Sequence, residues 1–475
     1  MPEDTFNLQP VILGGDIGAY SLARAFHQGY GVKSIVVSGV STGLLRHSRI
    51  LTHVTEPHID DSDAVVRRLL DIAADNAGKD LIVVASADWL VGVLVHNAAK
   101  LRQAGYTVPY VGAELFDKLT DKEVFGALCD KLGIPHPATV VYSCTTDIAP
   151  ASELAAMEGL RYPLIAKASS SAQWHTISFE GQKKVHTVAT PAELDELIGQ
   201  VRAAGYAGSM ILQDYIPGDD SGMRILTCYS DQTGEVRFSA YGHVLLEEHA
   251  PGALGNPAAI ITETNPKVVA NATKLLESTG WTGIANFDIK YDPRDGRYVF
   301  FELNPRLGRS NFYITGAGTN PIKFYVEELM RGHDADPLSV LGVSAPVNRD
   351  GELVKEQLYT VVPGQLLLRY LFDPKLRKRT RKLIRKRQLS SPLWYWPVER
   401  SPRRLAYIAI SQLNHWRKFQ RWYPLAEARE RFAVGHGSEI VSDRAAGHGS
   451  EIVSDRAAGN GGEIVSDRAA GNAGG

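Results

Sequence analysis

Residues 284–311, IANFDIKYDPRDGRYVFFELNPRLGRSN, constrain this chain more than any other stretch. Two alternating runs, 287–291 and 298–304, flank Asp292-Pro293-Arg294-Asp295-Gly296, a turn composition, so an antiparallel hairpin is expected. A period of two puts Asn286, Asp288 and Lys290 on one face of the first strand, and Phe300, Glu302 and Asn304 on one face of the second. If Asp288 stands opposite Glu302, the loop is 293–297 and oxygen donors from Asp288, Glu302 and Asn304 converge. One or two carboxylates with a carbonyl oxygen, the remaining positions left to phosphate and water, suit a hard divalent cation. Arg306 adds a planar donor for a phosphoryl or carboxylate group. The bland alternative is a hairpin whose polar face is simply wet.

A chain of 475 residues with 44% hydrophobic and 22% charged side chains can bury two to four domains. Cys129, Cys144 and Cys228 show no metal-ligand spacing and cannot all pair, which fits a reducing compartment. The first residues, MPEDTFNLQPVILGG, lack a basic segment followed by a long apolar run, and no apolar run reaches the length of a membrane span. A cytoplasmic protein is the expectation.

Short apolar runs at 11–13, 34–37 and 81–85 alternate with helical patterns at 20–28 and 64–76, predicting a small doubly wound parallel sheet over 1–117. Gly14-Gly15-Asp16-Ile17-Gly18 follows the first run but lacks the full dinucleotide fingerprint, and no acid ends the next strand. It reads as a dinucleotide turn or as a tight strand-to-helix turn lining a substrate cleft. Residues 118–340 read as a larger α+β unit. It has helices at 122–132, 191–204 and 266–279, and strands at 139–142, 164–168, 210–215 and 237–246. Residues 341–430 turn basic and aromatic. From Gly435 a 12-residue unit repeats, GHGSEIVSDRAA twice and then GNGGEIVSDRAA, with too few apolar side chains to fold alone, so 431–475 are expected to be disordered.

Lys167 ends an apolar strand before Ala168-Ser169-Ser170-Ser171, where an ammonium and small hydroxyl donors can cradle phosphate; a snorkelling lysine is the alternative. The run Gln213-Asp214-Tyr215-Ile216-Pro217-Gly218-Asp219-Asp220 can offer backbone groups to an adenine edge and a carboxylate to a ribose, or can be an ordinary strand end. Taken in order, Lys122, Lys167, 213–220, Asp288, Glu302-x-Asn304 and Arg306 resemble the ATP-grasp superfamily over roughly 10–330. That resemblance implies an ATP-grasp fold behind the small parallel-sheet domain. It implies ATP phosphates on Lys122 and Lys167, adenine against Gln213, Tyr215 and Ile216, and ribose on Asp220. Two Mg²⁺ ions, or Mn²⁺ in their place, would sit on Asp288, Glu302 and Asn304, with Arg306 on the transferred phosphoryl group. The phosphate loop departs from the family's glycine-rich pattern, reading Ser169-Ser170-Ser171-Ala172-Gln173-Trp174. Gly308-Arg309-Ser310-Asn311 is a candidate acid-substrate loop through Gly308, Ser310 and Asn311, or a plain turn, and Arg224 is a further candidate catalytic cation.

The opening PVILGGDIGAYSLARAF, QDYIPGDD and FELNPRLGRSNFY are similar to the peptidoglycan D-aspartate ligases. Those enzymes activate the β-carboxylate of D-aspartate and join it to a side-chain amine of the cell-wall stem peptide. A soluble amino-acid or dipeptide ligase and a catalytically silent nucleotide-binding protein are the alternatives. Nine of the thirteen residues from Lys375 to Arg387 are Lys or Arg, with no acid, and Trp394, Tyr395, Trp396, Trp416, Trp422 and Tyr423 follow. Such a segment suits an anionic membrane surface carrying a lipid-linked precursor, on the inner face of the membrane. A solvated basic helix and, less favoured because no RNA-binding fold accompanies it, a nucleic-acid patch are the other readings.

Overall fold

The computed structural model describes residues 6–169, 174, 177–183, 185–395 and 398–435. The loop residues Ser170, Ser171, Ala172 and Gln173, the aromatic Trp396 and nearly all of the repeats lie outside them.

The first sheet is parallel: β1 (Leu8–Leu13), β2 (Ser34–Ser38), β3 (Leu51–Thr55), β4 (Asp80–Ala85) and β5 (Tyr106–Thr107), in the order β3-β2-β1-β4-β5. Val11, Ile12 and Leu13 are wholly buried because helices cover both faces, which explains the unbroken apolar runs. The order reverses between β1 and β4, so the crevice at their C-terminal ends is the switch point where such sheets bind ligands. There Gly14 has φ 127°, and a Cβ on it would lie 2.1 Å from Ser86 Oγ. Asp16 caps the helix Ile17–Tyr30, accepting from Ala19 N at 3.0 Å, and its carboxylate also accepts from Ser86 Oγ at 3.0 Å. The glycine therefore serves close approach of the β4 end, and an acid already occupies the helix N-terminus. The turn is a tight strand-to-helix connection.

The second sheet is antiparallel, with β6 (Thr139–Ser143), β7 (Leu164–Ala168), β8 (His186–Val188) and β9 (Ser209–Asp214) in the order β6-β9-β7-β8. It is backed by the helices Ala151–Met157 and Pro191–Ala203, whose Ala155, Leu194 and Ile198 pack with Leu164, Ala166 and Leu212.

The third sheet has seven strands: β10 (Met223–Ser230), β11 (Val236–Glu247), β12 (Pro257–Glu263), β13 (Gly283–Asp292), β14 (Arg297–Asn304), β15 (Leu358–Thr360) and β16 (Leu389–Ser390), ordered β14-β13-β10-β11-β12-β15-β16. The helix Pro266–Thr279 packs Val268 and Leu275 against Phe287, Ile289 and Phe300 on one face. The helices Phe312–Ala317 and Ile322–Leu329 cover Ile225 and Ala240 on the other. The last two strands come from the basic, aromatic segment, so residues beyond 341 extend this sheet. Among the described residues no helix is long and apolar enough to cross a membrane.

The hairpin forms with Asp288 opposite Glu302, but its register then shifts: Ile289 pairs with Phe300, leaving Phe301 as a bulge. Two expectations change. Phe300 joins Ile289 on the apolar face instead of standing beside Glu302, and the loop is 293–296, because Arg297 pairs with Asp292.

Candidate active site

The polar face of β13 and β14 holds the site. The carboxylates of Asp288 and Glu302 face each other from directly opposed positions. Burial and the facing Glu302 carboxylate push Asp288 up to about 7, against the opposing pull of Asn304 and Arg306. Burial also resists ionisation of Glu302, yet the ammonium of Lys122, 3.2 Å away, outweighs it and holds Glu302 below the usual carboxylate range. One proton is thus shared unevenly, with Glu302 the charged partner.

The helix Lys122–Leu132 begins at Lys122 because Asp121 caps it, accepting from the N–H groups of Glu123 and Val124 at 2.9 Å. Lys167, on β7, donates to Gln213 Oε1 at 3.4 Å; burial and then Lys122 lower it to about 8, with Glu302 working the other way. Gln213 Nε2 in turn donates to Thr139 at 2.9 Å.

After β9 the chain turns, and Lys290 Nζ, on the same face as Asp288, donates to the Ile216 carbonyl at 2.8 Å and lies 5.6 Å from the Tyr215 ring. Lys290 was placed on that face by the sequence but given no role; its two-residue offset from Asp288 was the available signal. Asp220 is buried, and its Oδ2 accepts from Glu247 N and from His249 Nε2, both at 2.9 Å.

Arg306 lies beyond β14, half-buried and charged. Burial opposes the charge, but Asp88 and, further off, Asp288 and Asp16 sustain it. Its Nη2 donates to Asp88 Oδ2 at 2.7 Å, while Nε is buried without a partner. Next along, Arg309 Nε meets Asp16 at 3.2 Å and its Nη1 approaches Glu248 at 3.7 Å. Asp88 and Asp16 follow β4 and β1, so the switch-point crevice of the first sheet faces the loop after the hairpin. Sequence reading missed Asp16, Asp88 and Arg309 as partners because the pairs join positions more than 200 residues apart. The glycine-rich turn pointed to the crevice, and nothing local pointed to its mate.

Gly308 packs against the Asn286 amide, 3.4 Å from where its Cβ would stand. Asn311 Nδ2 braces Gly308 O at 2.9 Å and Gly18 O at 3.3 Å, and Ser310 Oγ is buried without a partner. Arg224 does not join the group. Register pairs it with Ile289 and His243, on the face opposite Asp288, where its Nη1 donates to the Ser221 and Met223 carbonyls.

Among the described residues no cluster of three or more acidic, histidine or cysteine side chains forms a closed metal cage. Two facing carboxylates, one kept partly protonated by the other, are nonetheless an apt half-shell for a hard cation that would replace the shared proton. Asn304 presents its Nδ2 to Asp288 Oδ2 at 3.0 Å, so a turn of the amide would bring its oxygen to the same point.

No family model matches the chain. It is 29% identical over 421 residues to the D-aspartate ligase of Enterococcus faecium (strain Aus0004), covering 88% of this chain and 97% of that one. It is 25% identical over 284 residues to the carbamoyl phosphate synthase large chain of Deinococcus radiodurans, covering 56% of this chain and 26% of that one. The fold is similar to the biotin carboxylase domain of Hydrogenobacter thermophilus 2-oxoglutarate carboxylase, solved with MgADP and bicarbonate. The TM-score is 0.50 at 16% identity, over 69% of this chain and 71% of that one. Rhizobium etli pyruvate carboxylase matches at TM-score 0.52 and 15% identity, over 71% of this chain and 31% of that one. The fold and the near full-length likeness point the same way: over nearly its whole length the chain is similar to a D-aspartate ligase, and its fold is similar to that of the nucleotide-binding domains of these carboxylases.

Proposed function

We propose that the chain joins D-aspartate, through its β-carboxylate, to the side-chain amine of the diamino acid in a peptidoglycan precursor, converting ATP to ADP and phosphate. The observation that carries this reading is the convergence of Lys122, Lys167 and Arg306 on the Asp288–Glu302 pair, beside a crevice that holds both an arginine and carboxylates. The near full-length likeness to a D-aspartate ligase supports the choice of amino acid.

In this reading residues 118–340 hold the nucleotide. Lys122 exchanges Glu302 for a phosphate oxygen, and Lys167 neutralises a second. The backbone at Tyr215 and Ile216, with Gln213, meets the adenine, and the free oxygen of Asp220 meets the ribose. Asp288, Glu302 and Asn304 would hold two Mg²⁺ ions, which Mn²⁺ can replace; such ions supply charge neutralisation at the phosphates. Residues 1–117 and the loop at Gly308, Ser310 and Asn311 hold the amino acid, with Arg309 on its α-carboxylate and Asp16 on its ammonium group. Residues 341–430 serve the acceptor, and 431–475 are an appended tail. The β-carboxylate attacks the γ-phosphorus, and Arg306, steadied by Asp88, neutralises the developing charge. The amine then attacks the acyl carbon and phosphate leaves with the former carboxylate oxygen. We place this in the cytoplasm, at the inner face of the membrane where the precursor is lipid-linked.

The test is ADP release by the full chain with Mg²⁺ and ATP, comparing D-aspartate, L-aspartate and D-glutamate, each with and without a lysine-containing muropeptide. Turnover needing both D-aspartate and the muropeptide is expected. Turnover with another amino acid alone would remove the D-aspartate assignment while leaving the ligase chemistry.

A further inference from the structure

The helix Pro374–Arg385 carries a charge pattern that folding does not explain. Leu376, Thr380 and Leu383 face inward. Arg377, Lys378, Arg381, Lys382, Arg385 and Lys386 fall in adjacent pairs that repeat every four residues, forming a single exposed stripe. The pairs 377–381, 381–385, 378–382 and 382–386 are like charges four apart, each destabilising a helix by about 0.2–0.5 kcal/mol. The helix C-terminus offsets part of that for the last turn only. Arg379 is different: it donates to Glu263 and Glu356 at 2.6 Å and fastens the inner side of the helix to the third sheet. The six stripe cations have no ion pair among the described residues.

The stripe lines a cleft of about 790 Å³ floored by Phe372. Arg377 and Arg381 are shared with an adjoining cavity of about 580 Å³, to which Arg369 and Arg429 contribute from two other segments. No acid lines either cavity. Arginines converging from three segments make a concave, pre-organised cation cluster, which suits a discrete polyanion better than a flat surface does.

We propose that this cleft binds the diphosphate of the acceptor, the diester shared by nucleotide-linked and lipid-linked precursors; this rests on the ligase reading given above. A diphosphate presents several oxygens within a few ångströms, matching guanidinium forks at successive helical turns. Arg379 fastens the helix to Glu263 on β12, three strands from β13 in the third sheet, a separation of about 15 Å at the usual strand spacing that an extended stem peptide of several residues can span. Arg431, two residues beyond Arg429, lies within electrostatic reach of Asp220 and Tyr215.

The experiment compares the full chain with two charge-matched double variants. Arg377→Gln/Arg381→Gln removes the cations shared by both cavities, and Lys375→Gln/Arg387→Gln removes two from the same segment that line neither. The KM is measured for a nucleotide-linked muropeptide and for the same muropeptide stripped of its diphosphate. The wild type and the Lys375/Arg387 variant should prefer the diphosphate-bearing acceptor roughly tenfold, and the Arg377/Arg381 variant should lose that preference. An equal preference in all three proteins overturns the proposal. A binding arm separates this from the ligase reading itself: UDP-N-acetylglucosamine is dialysed against protein saturated with ADP. Binding lost only in the Arg377/Arg381 variant supports the cleft even where no turnover is found. A lipid arm uses phosphatidylglycerol vesicles. Vesicle adhesion reduced equally in both variants, with no binding of the UDP-sugar, would overturn the proposal in favour of diffuse charge attraction.

Discussion

In the reading proposed above, the cations of the site meet the phosphates of ATP. Lys167 shows this most simply. Its ammonium is crowded by burial and by Lys122, with the proton leaving near pH 8 in the folded chain. Below that pH it is charged and can hold a phosphate. ATP affinity should therefore weaken as pH rises through about 8. Folding stability should move the other way. Between about 8 and the ordinary lysine value near 10.4 the unfolded chain binds the extra proton, so this group's contribution rises with pH. A parallel rise in ATP Kd and in the denaturation midpoint above about pH 8 checks the assignment, and both trends should vanish in Lys167→Met. Asp88 makes a second case. Asp88→Asn keeps the shape but weakens the 2.7 Å contact to Arg306. A loss in kcat of about tenfold to a hundredfold is expected with little change in the KM for ATP, because the reacting phosphoryl group would be misaligned and not unbound. An unchanged kcat would show that Arg306 needs no anchor.

At the scale of elements, the turn after β1 offers the clearest test. Gly14→Ala must adopt a positive φ and place a methyl group 2.1 Å from Ser86 Oγ, which is itself bound to Asp16. A loss of about 1–3 kcal/mol in stability is expected from chemical denaturation, with a weaker KM for the amino acid because Asp16 moves. The hairpin, the helix Lys122–Leu132, the strand Leu164–Ala168 and the helix Pro266–Thr279 were legible in the sequence, since each has clear periodicity and a glycine, proline or capping signal at an end. β10 was not. Seven of its eight residues are buried, so the alternation that marks a half-exposed strand is missing. β15 and β16 span three and two residues and exist through tertiary pairing alone. The bulge at Phe301 was equally invisible, because register is set by contacts on the partner strand. Arg224 was misplaced for a related reason: its strand, and hence its face, was not recognised.

Over the whole molecule, the C-terminal segment is fastened to the first domain by buried charge. Glu399 accepts from Arg49 N at 3.0 Å and from Tyr20 OH at 3.3 Å. Arg404, wholly buried, donates to the Leu44 carbonyl at 2.6 Å and lies 4.3 Å from the Tyr20 ring. Arg24 gathers the carbonyls of Ser391, Pro392 and Trp394. Arg404→Ala leaves Glu399 buried with less compensation, so a loss of about 3 kcal/mol is expected in denaturant unfolding. A change under 1 kcal/mol would mean the segment is held by its apolar contacts alone. Isotope transfer reads the proposed chemistry at the hairpin directly. D-aspartate carrying a heavy-oxygen label in its β-carboxylate is turned over with ATP and the muropeptide, and the released phosphate is analysed by mass. One labelled oxygen per phosphate is predicted in the wild type, with neither label transfer nor ADP formation in Glu302→Gln. Product formed with unlabelled phosphate would contradict an acyl-phosphate route at this site.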